Sequence, residues 1–281
     1  MQQPQIGIDI GGTKMLLLAK TATGLQSRKI ATGWEFSSVD ADMAIASFLN
    51  ELPAPPSSIG IAIPGLVDES GQVIVSDVLP KLNGWLPSVK NNFLYHVCVL
   101  NDSDAALIEA RHEVGSPAHI TLIIVGTAIG ASCWVNQQFL RGAKGWAGEL
   151  GAIPIITAQG SKILDQLAGG AALLQRLGID AQQLATLVEQ QDALALDAIK
   201  DAGCWLGIGI ATTIHLFNPE VLVLAGGTLN WHGYLEAALI SAQKHCIPEL
   251  WKECRIHVSI HGGLLVALGA MRAAAKFEQK L

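Results

Sequence analysis

The chain has 281 residues, half of them hydrophobic and 15% charged, with a net charge of −6. That length suits two lobes, so much apolar side chain excludes a disordered polymer, and the lack of any Lys/Arg cluster excludes a nucleic-acid partner. Five cysteines, odd in number and without a Cys-x-x-Cys pair, exclude a disulfide framework or thiolate metal site and point to the cytoplasm.

Met1-Gln2-Gln3-Pro4-Gln5 lacks the basic and apolar stretches of a signal peptide. Gln5–Ile10 then reads as a short apolar strand that runs into Gly11-Gly12-Thr13, with a second strand at Met15–Lys20. A helix is expected over Asp40–Leu49 with Asp40 as its N-cap. Ser58–Ile63 and His96–Leu100 are further strands, and Ser103–Val114 a helix opened by Ser103 and Asp104. Residues 120–140 carry no charge over a length that could span a membrane. Gly126, Gly130, Asn136, Gln137 and Gln138 interrupt them, so two strands, Ile120–Val125 and Ala131–Val135, are expected around a turn. Helices are expected over Asp165–Leu177, Asp180–Glu189 and Asp192–Phe217, the last ended by Asn218-Pro219. Val221–Leu224 is a strand leading into Gly226-Gly227, Arg255–Ile260 another, and Gly263–Phe277 a closing helix.

The chain echoes itself, since each half opens with a strand, a Gly/Thr turn and another strand. A duplicated α/β lobe would bring both turns to one ligand in a cleft between the copies. The expected division is 1–104, a small lobe ending near the candidate catalytic acid; 105–263, a large lobe; and 264–281, a helix packing back on the first lobe.

Five segments carry chemistry. In Asp9-Ile10-Gly11-Gly12-Thr13-Lys14, paired glycines let backbone N–H groups approach an anion, Thr13 adds a donor and Lys14 a charge. Asp9 can hold Mg²⁺ through water. A hairpin turn with a capping acid is the plainer alternative. Val125-Gly126-Thr127-Ala128-Ile129-Gly130 is a second cradle of the same kind. In Asn101-Asp102-Ser103-Asp104, a carboxylate at a strand–helix junction can take a proton from an attacking hydroxyl, or Asp102 or Asp104 can simply cap the helix. Glu149, among glycines 145, 148 and 151, can grip two vicinal hydroxyls or be a solvated loop acid. Gly226-Gly227 ends a strand where a flat base or ribose can lie against bare backbone, or makes an ordinary turn.

In this order and spacing the segments resemble the ROK (repressor, open reading frame, kinase) family over nearly the whole chain. The most specific pieces are Asp9-Ile-Gly-Gly-Thr-Lys14, Ile63-Pro-Gly65-Leu-Val, Asn101-Asp102, Gly148-Glu149-Leu-Gly151 and Asn218-Pro-Glu-Val-Leu-Val-Leu-Ala-Gly-Gly227. The resemblance implies the actin-like ATPase (ribonuclease H-like) fold, an α/β architecture of two lobes. It implies an ATP-dependent kinase acting with Mg²⁺ on a hydroxyl, the primary 6-OH, of a hexose or an amino or N-acyl hexose, and working as a homodimer. Asp102 would be the base; Gly65, Asn101, Asp102, Glu149 and Asp165 would bind sugar. Asp9, Gly11, Gly12, Thr13, Lys14, Gly126, Thr127 and Gly130 would surround the phosphates, with Gly226 and Gly227 near adenosine. A sensor that binds sugar or nucleotide without turnover is the alternative.

Departures from the family pattern fall on the sugar side. Many ROK proteins carry a zinc site built from one His and three Cys; the aligned positions here are Ala152, Ile156, Ala158 and Ile163, so no zinc is expected. Asp165 stands for a Glu, Lys81 for the Asn that often precedes the Gly84-Trp85 pair, and Asp104 for an Asn. A first strand at Gln5 leaves no room for the helix-turn-helix of the family's repressors, so DNA binding is not expected.

Overall fold

The computed structural model describes residues 3–91 and 95–278; Met1 and Gln2 of the N-terminal stretch and the last three residues of the expected 264–281 segment lie outside it. The chain falls into two compact units, Met1–Glu113 with Leu264–Leu281, and Val114–Gly263. The division falls after Glu113, whereas the boundary expected at residue 104 cuts through the helix expected over Ser103–Val114.

The first unit opens with β1 (Gln5–Ile10), β2 (Lys14–Thr21) and β3 (Gly24–Ala31), an antiparallel meander. Helix α1 (Ser38–Asn50) is started by a capping box, with Ser37 as N-cap and Asp40 at the third helical position. Asp40 is therefore not the N-cap expected from the sequence; Ser37 reaches the free Asp40 N–H, and the Asp40 carboxylate returns to the Ser37 N–H at 2.9 Å. β4 (Ser58–Ile63), the short pair β5 (Leu66–Val67) and β6 (Val73–Val75), β7 (His96–Asn101) and α2 (Asp102–Glu113) follow. The sheet order is β3-β2-β1-β4-β7, with β1, β4 and β7 parallel. β4 is buried at every position, as a central strand covered on both faces must be.

The second unit repeats that plan. β8 (Ile120–Val125), β9 (Ile129–Val135) and β10 (Gln138–Phe139) form the meander, so the uncharged stretch is a set of strands. No helix among the described residues is long and apolar enough to cross a membrane. A hairpin of β11 (Pro154–Thr157) and β12 (Gly160–Ile163) precedes α3 (Leu164–Ala168) and α4 (Gly170–Leu177). The single helix expected over 165–177 is thus broken at Gly169, whose extended backbone (φ −65°, ψ 148°) ends one helix and begins the next. Then come α5 (Ala181–Glu189), α6 (Ala193–Phe217), β13 (Val221–Ala225), α7 (Tyr234–His245), α8 (Pro248–Glu253) and β14 (Arg255–Val258). Asn218, left-handed at φ 41°, stops α6. The sheet order is β10-β9-β8-β13-β14, with β8, β13 and β14 parallel. Strand for strand, this is the first sheet again.

The last element, α9 (Leu265–Glu278), belongs to the first unit. It lies so close to β1 and β4 that a Cβ on Gly7 or Gly60 would overlap the carbonyl oxygens of Ala267 and Ala270. Gly269 meets the carbonyl of Ala105 on α2 in the same way. Arg272 adds a two-pronged ion pair to the buried Glu109 of α2, at 2.6 and 3.0 Å.

Candidate active site

The parallel strands deliver the candidate residues at their carboxyl ends, where α/β sheets place ligand-binding turns. β1 delivers the turn at Gly11, β4 delivers Gly65, and β7 delivers Asn101 and Asp102; in the second unit β8 delivers Gly126 and β13 delivers Gly226.

In the first unit Asp9 stands on β1 between Leu16 and Ala62. Burial and the nearby Asp102 push its carboxyl up to about 7, partly offset by Lys14. Gly11 and Lys14 close the turn with an N–H···O bond of 2.9 Å, leaving Thr13 and Lys14 exposed. At Gly12 a Cβ would run into Val78. Gly65 has φ 121°, and any Cβ there would overlap the Val75 carbonyl, so the position demands glycine.

Asn101 settles which residue caps α2. Its Oδ1 accepts from the N–H groups of Ser103 (2.8 Å) and Asp104 (3.2 Å), while its Nδ2 donates to the Gly65 carbonyl at 3.0 Å. One amide N–H remains, so Asn101 can serve a sugar only as a donor. Asp102 is relieved of most capping duty, though its Oδ1 still accepts from Ser103 N–H at 2.7 Å. Burial raises the Asp102 pKa, which strengthens it as a base.

In the second unit the turn is Gly126-Thr127-Ala128. Gly130 lies within β9, paired with Ile124 in the ladder. The Gly126 carbonyl accepts from Gly170 N–H (2.9 Å) and the Thr228 hydroxyl (3.0 Å), and the Thr127 carbonyl from Ala171 N–H (3.0 Å). These bonds satisfy N–H groups at the start of α4 and draw them away from the carbonyls of the preceding turn, which breaks the helix at Gly169. Asp165 Oδ1 accepts from Ile129 N–H at 2.6 Å, and the carboxylate lies flat against Gly151. Burial raises its pKa and that hydrogen bond lowers it. One oxygen of this expected sugar ligand therefore holds the first residue of β9. Gly226 (φ 111°) could not carry a Cβ without overlapping the Val125 carbonyl, whereas Gly227 faces open space.

Glu149 is exposed at the head of a single 3₁₀ turn that includes Ala152. The positions aligned with zinc cysteines, Ile156, Ala158 and Ile163, are exposed on the β11–β12 hairpin. Lys81 pairs with Glu35 at the edge of an open groove of about 710 Å³ lined by Trp34, Phe36 and Met43. With Glu35 held by Lys81 and Asp40 by Ser37, the groove offers apolar surface but no spare carboxylate, and none of the expected site residues line it. Thr32 and Thr228 escaped the sequence reading. Thr228 had left a signal, because Gly226-Gly227-Thr228 repeats Gly11-Gly12-Thr13; Thr32 follows an unrecognised strand and had left none.

The sequence profile of the ROK family matches residues 5–276. The chain belongs to the ROK family. Its two repeated units are those of the actin-like ATPase fold. A xylose repressor of Bacillus subtilis is 25% identical over 67% of this chain and 53% of its own length. The chain spans 53–63% of the xylose repressors that head the curated relatives. A glucokinase of Halalkalibacterium halodurans is 24% identical over 79% of both chains. Among solved structures, a ROK family glucokinase from Streptomyces griseus in complex with glucose and AMPPNP is 23% identical, with a TM-score of 0.82 over 97% of this chain and 99% of that one.

Proposed function

We propose that this protein is an ATP-dependent kinase for a hydroxyl, the primary 6-OH, of a hexose or an amino or N-acyl hexose, assembled as a homodimer. The observation that carries the reading is Asp102. It sits at the carboxyl end of β7 with its helix capped by Asn101, is raised in pKa by burial, and lies near enough to Asp9 to alter that residue's ionisation. A carboxylate so placed beside an anion-binding turn suits a general base in phosphoryl transfer. The hydroxyl oxygen attacks the γ-phosphorus, its proton passes to Asp102, and the bond to the bridging oxygen of ADP breaks. Gly11, Gly12, Thr13, Lys14, Gly126 and Thr127 hold phosphates, Gly226 and Gly227 face adenosine, and Glu149 with the remaining Asn101 N–H orients the sugar.

Among the described residues no group of three or more His, Cys, Asp or Glu could hold a metal ion. Asp9, on β1 just before the Gly11 turn, is the residue that would reach, through water, a Mg²⁺ carried in by the nucleotide, and the ion would supply charge neutralisation on the phosphates. The match to xylose repressors favours a second reading, a sugar-binding regulatory module without turnover.

An ADP-release screen with Mg·ATP across hexoses, hexosamines and N-acyl hexosamines separates the two. Sugar-dependent ADP is expected, and Asp102→Asn is expected to lower it by about 100-fold or more while sugar still binds. Sugar binding with no ADP from the unaltered protein would select the regulatory reading.

A further inference from the structure

In each unit, a threonine from elsewhere in the chain holds the first carbonyl of the glycine turn. Thr32 Oγ1 donates to the Gly11 carbonyl at 2.6 Å, and the Thr32 N–H donates to the Thr13 carbonyl at 3.2 Å. Thr228 Oγ1 donates to the Gly126 carbonyl at 3.0 Å. The described chain contains no cis peptide bond. In a planar trans peptide the next N–H points opposite to the carbonyl, so fixing these two oxygens fixes the direction of Gly12 N–H and Thr127 N–H. Both N–H groups are aimed away from the threonines. They belong to the turns whose outer residues, Thr13 and Thr127, are exposed.

We infer that Thr32 and Thr228 are positioning residues that lock these peptide planes with N–H groups toward a nucleotide's phosphates. The inference rests on the proposed nucleotide site. The need for a lock follows from the glycines. The 11–12 peptide has glycine on both sides and the 126–127 peptide on one, so little steric resistance keeps either plane from turning over. A turned plane would offer the phosphate a carbonyl oxygen in place of a donor. The two locks differ in strength. Gly126 O keeps the Gly170 N–H if Thr228 loses its hydroxyl, whereas the Gly11 carbonyl is held by the Thr32 hydroxyl. Thr228 also follows Gly226-Gly227 directly, so in the second unit one hydroxyl ties the expected adenosine turn to the phosphate turn.

The test is calorimetric titration of the full chain with Mg·ADP and, separately, with adenosine. Thr32→Val is expected to weaken ADP binding by roughly 3- to 10-fold, and Thr228→Val by less. Thr32→Ser and Thr228→Ser, which keep the hydroxyl, should restore it. Adenosine has no phosphate for Gly12 N–H, so its affinity should be unchanged in Thr32→Val. Equal ADP binding by Thr32→Val and the unaltered protein would overturn the inference alone, as would a parallel loss of adenosine, which would mark a structural role. If Thr32→Val does not fold, the Thr228 pair decides by the same comparison of Val with Ser. Failure of the unaltered protein to bind either ligand would overturn the nucleotide site and the locks together.

Discussion

Gly60→Ala places one methyl group where α9 has left no room. The obstacle is the Ala270 carbonyl, a backbone atom in mid-helix, which cannot swing aside as a side-chain tip could. Restoring an ordinary contact means lifting α9 by roughly 1.5 Å, and a gap of 0.5–1 Å already forfeits a quarter to a half of a dispersion contact. The helix cannot tilt about Gly60, because Gly7 on the adjacent strand and Gly269 against α2 bind it as closely. Ala267, Ala270, Met271 and Ala274, all buried, lose contact together. Overpacking a core by one methyl costs about 1–3 kcal/mol, and a rigid backbone on the far side sets this site at the upper end, about 3 kcal/mol or more. Denaturant titration of the ligand-free protein, with Gly178→Asn at the exposed end of α4 as a control, measures it. A cost under about 1 kcal/mol would refute the claim that α9 is seated directly on the glycines.

Asp9 makes stability depend on pH. Its carboxyl is raised from 3.8 to about 7, so the stability present below pH 3.8 is lost as pH rises toward 7. At 1.36 kcal/mol per unit, the loss is about 4 kcal/mol at most, and Asp9→Asn should remove it; denaturation of both proteins from pH 4 to pH 8 without nucleotide should show the difference growing with pH. A flat difference would contradict the burial-driven shift. Ser58 is fully buried with no partner for its hydroxyl among the described residues, so Ser58→Ala should be neutral or stabilising by about 1 kcal/mol, and a melting temperature several degrees lower would reveal a hidden acceptor.

What could be read from the sequence was whatever produced an unbroken apolar run or a glycine signature. β4 (SIGIAI) and β8 (ITLIIV) are central strands buried on both faces, so their composition announces them. β3 (GLQSRKIA) is an edge strand, exposed along most of its length, and its polar composition hid it. The break at Gly169 was illegible for another reason. Nothing local to 165–177 forbids one helix; the cause is the Gly126-Thr127 turn, far away in sequence, whose carbonyls claim the N–H groups of Gly170 and Ala171. The site divided likewise. Asp9, the glycines and Asn101-Asp102 were visible as motifs, but that Asn101 would cap α2 and Asp165 would hold Ile129 depended on contacts that only the folded chain creates.

The place of α9 in the chain also fixes an order of events during synthesis. Residues 114–263 form a continuous stretch with a sheet and core of their own, and all of them are synthesised before α9. The first unit begins before the second yet is completed after it. Until Leu265–Glu278 arrive, the Gly7 and Gly60 face of its sheet has no helix to cover it, and α2, with Asp102 at its head, lacks the Arg272 grip on Glu109. β1 and β4 thus wait for a helix that follows the whole second unit, and the base that this reading assigns to chemistry is seated only when that helix docks.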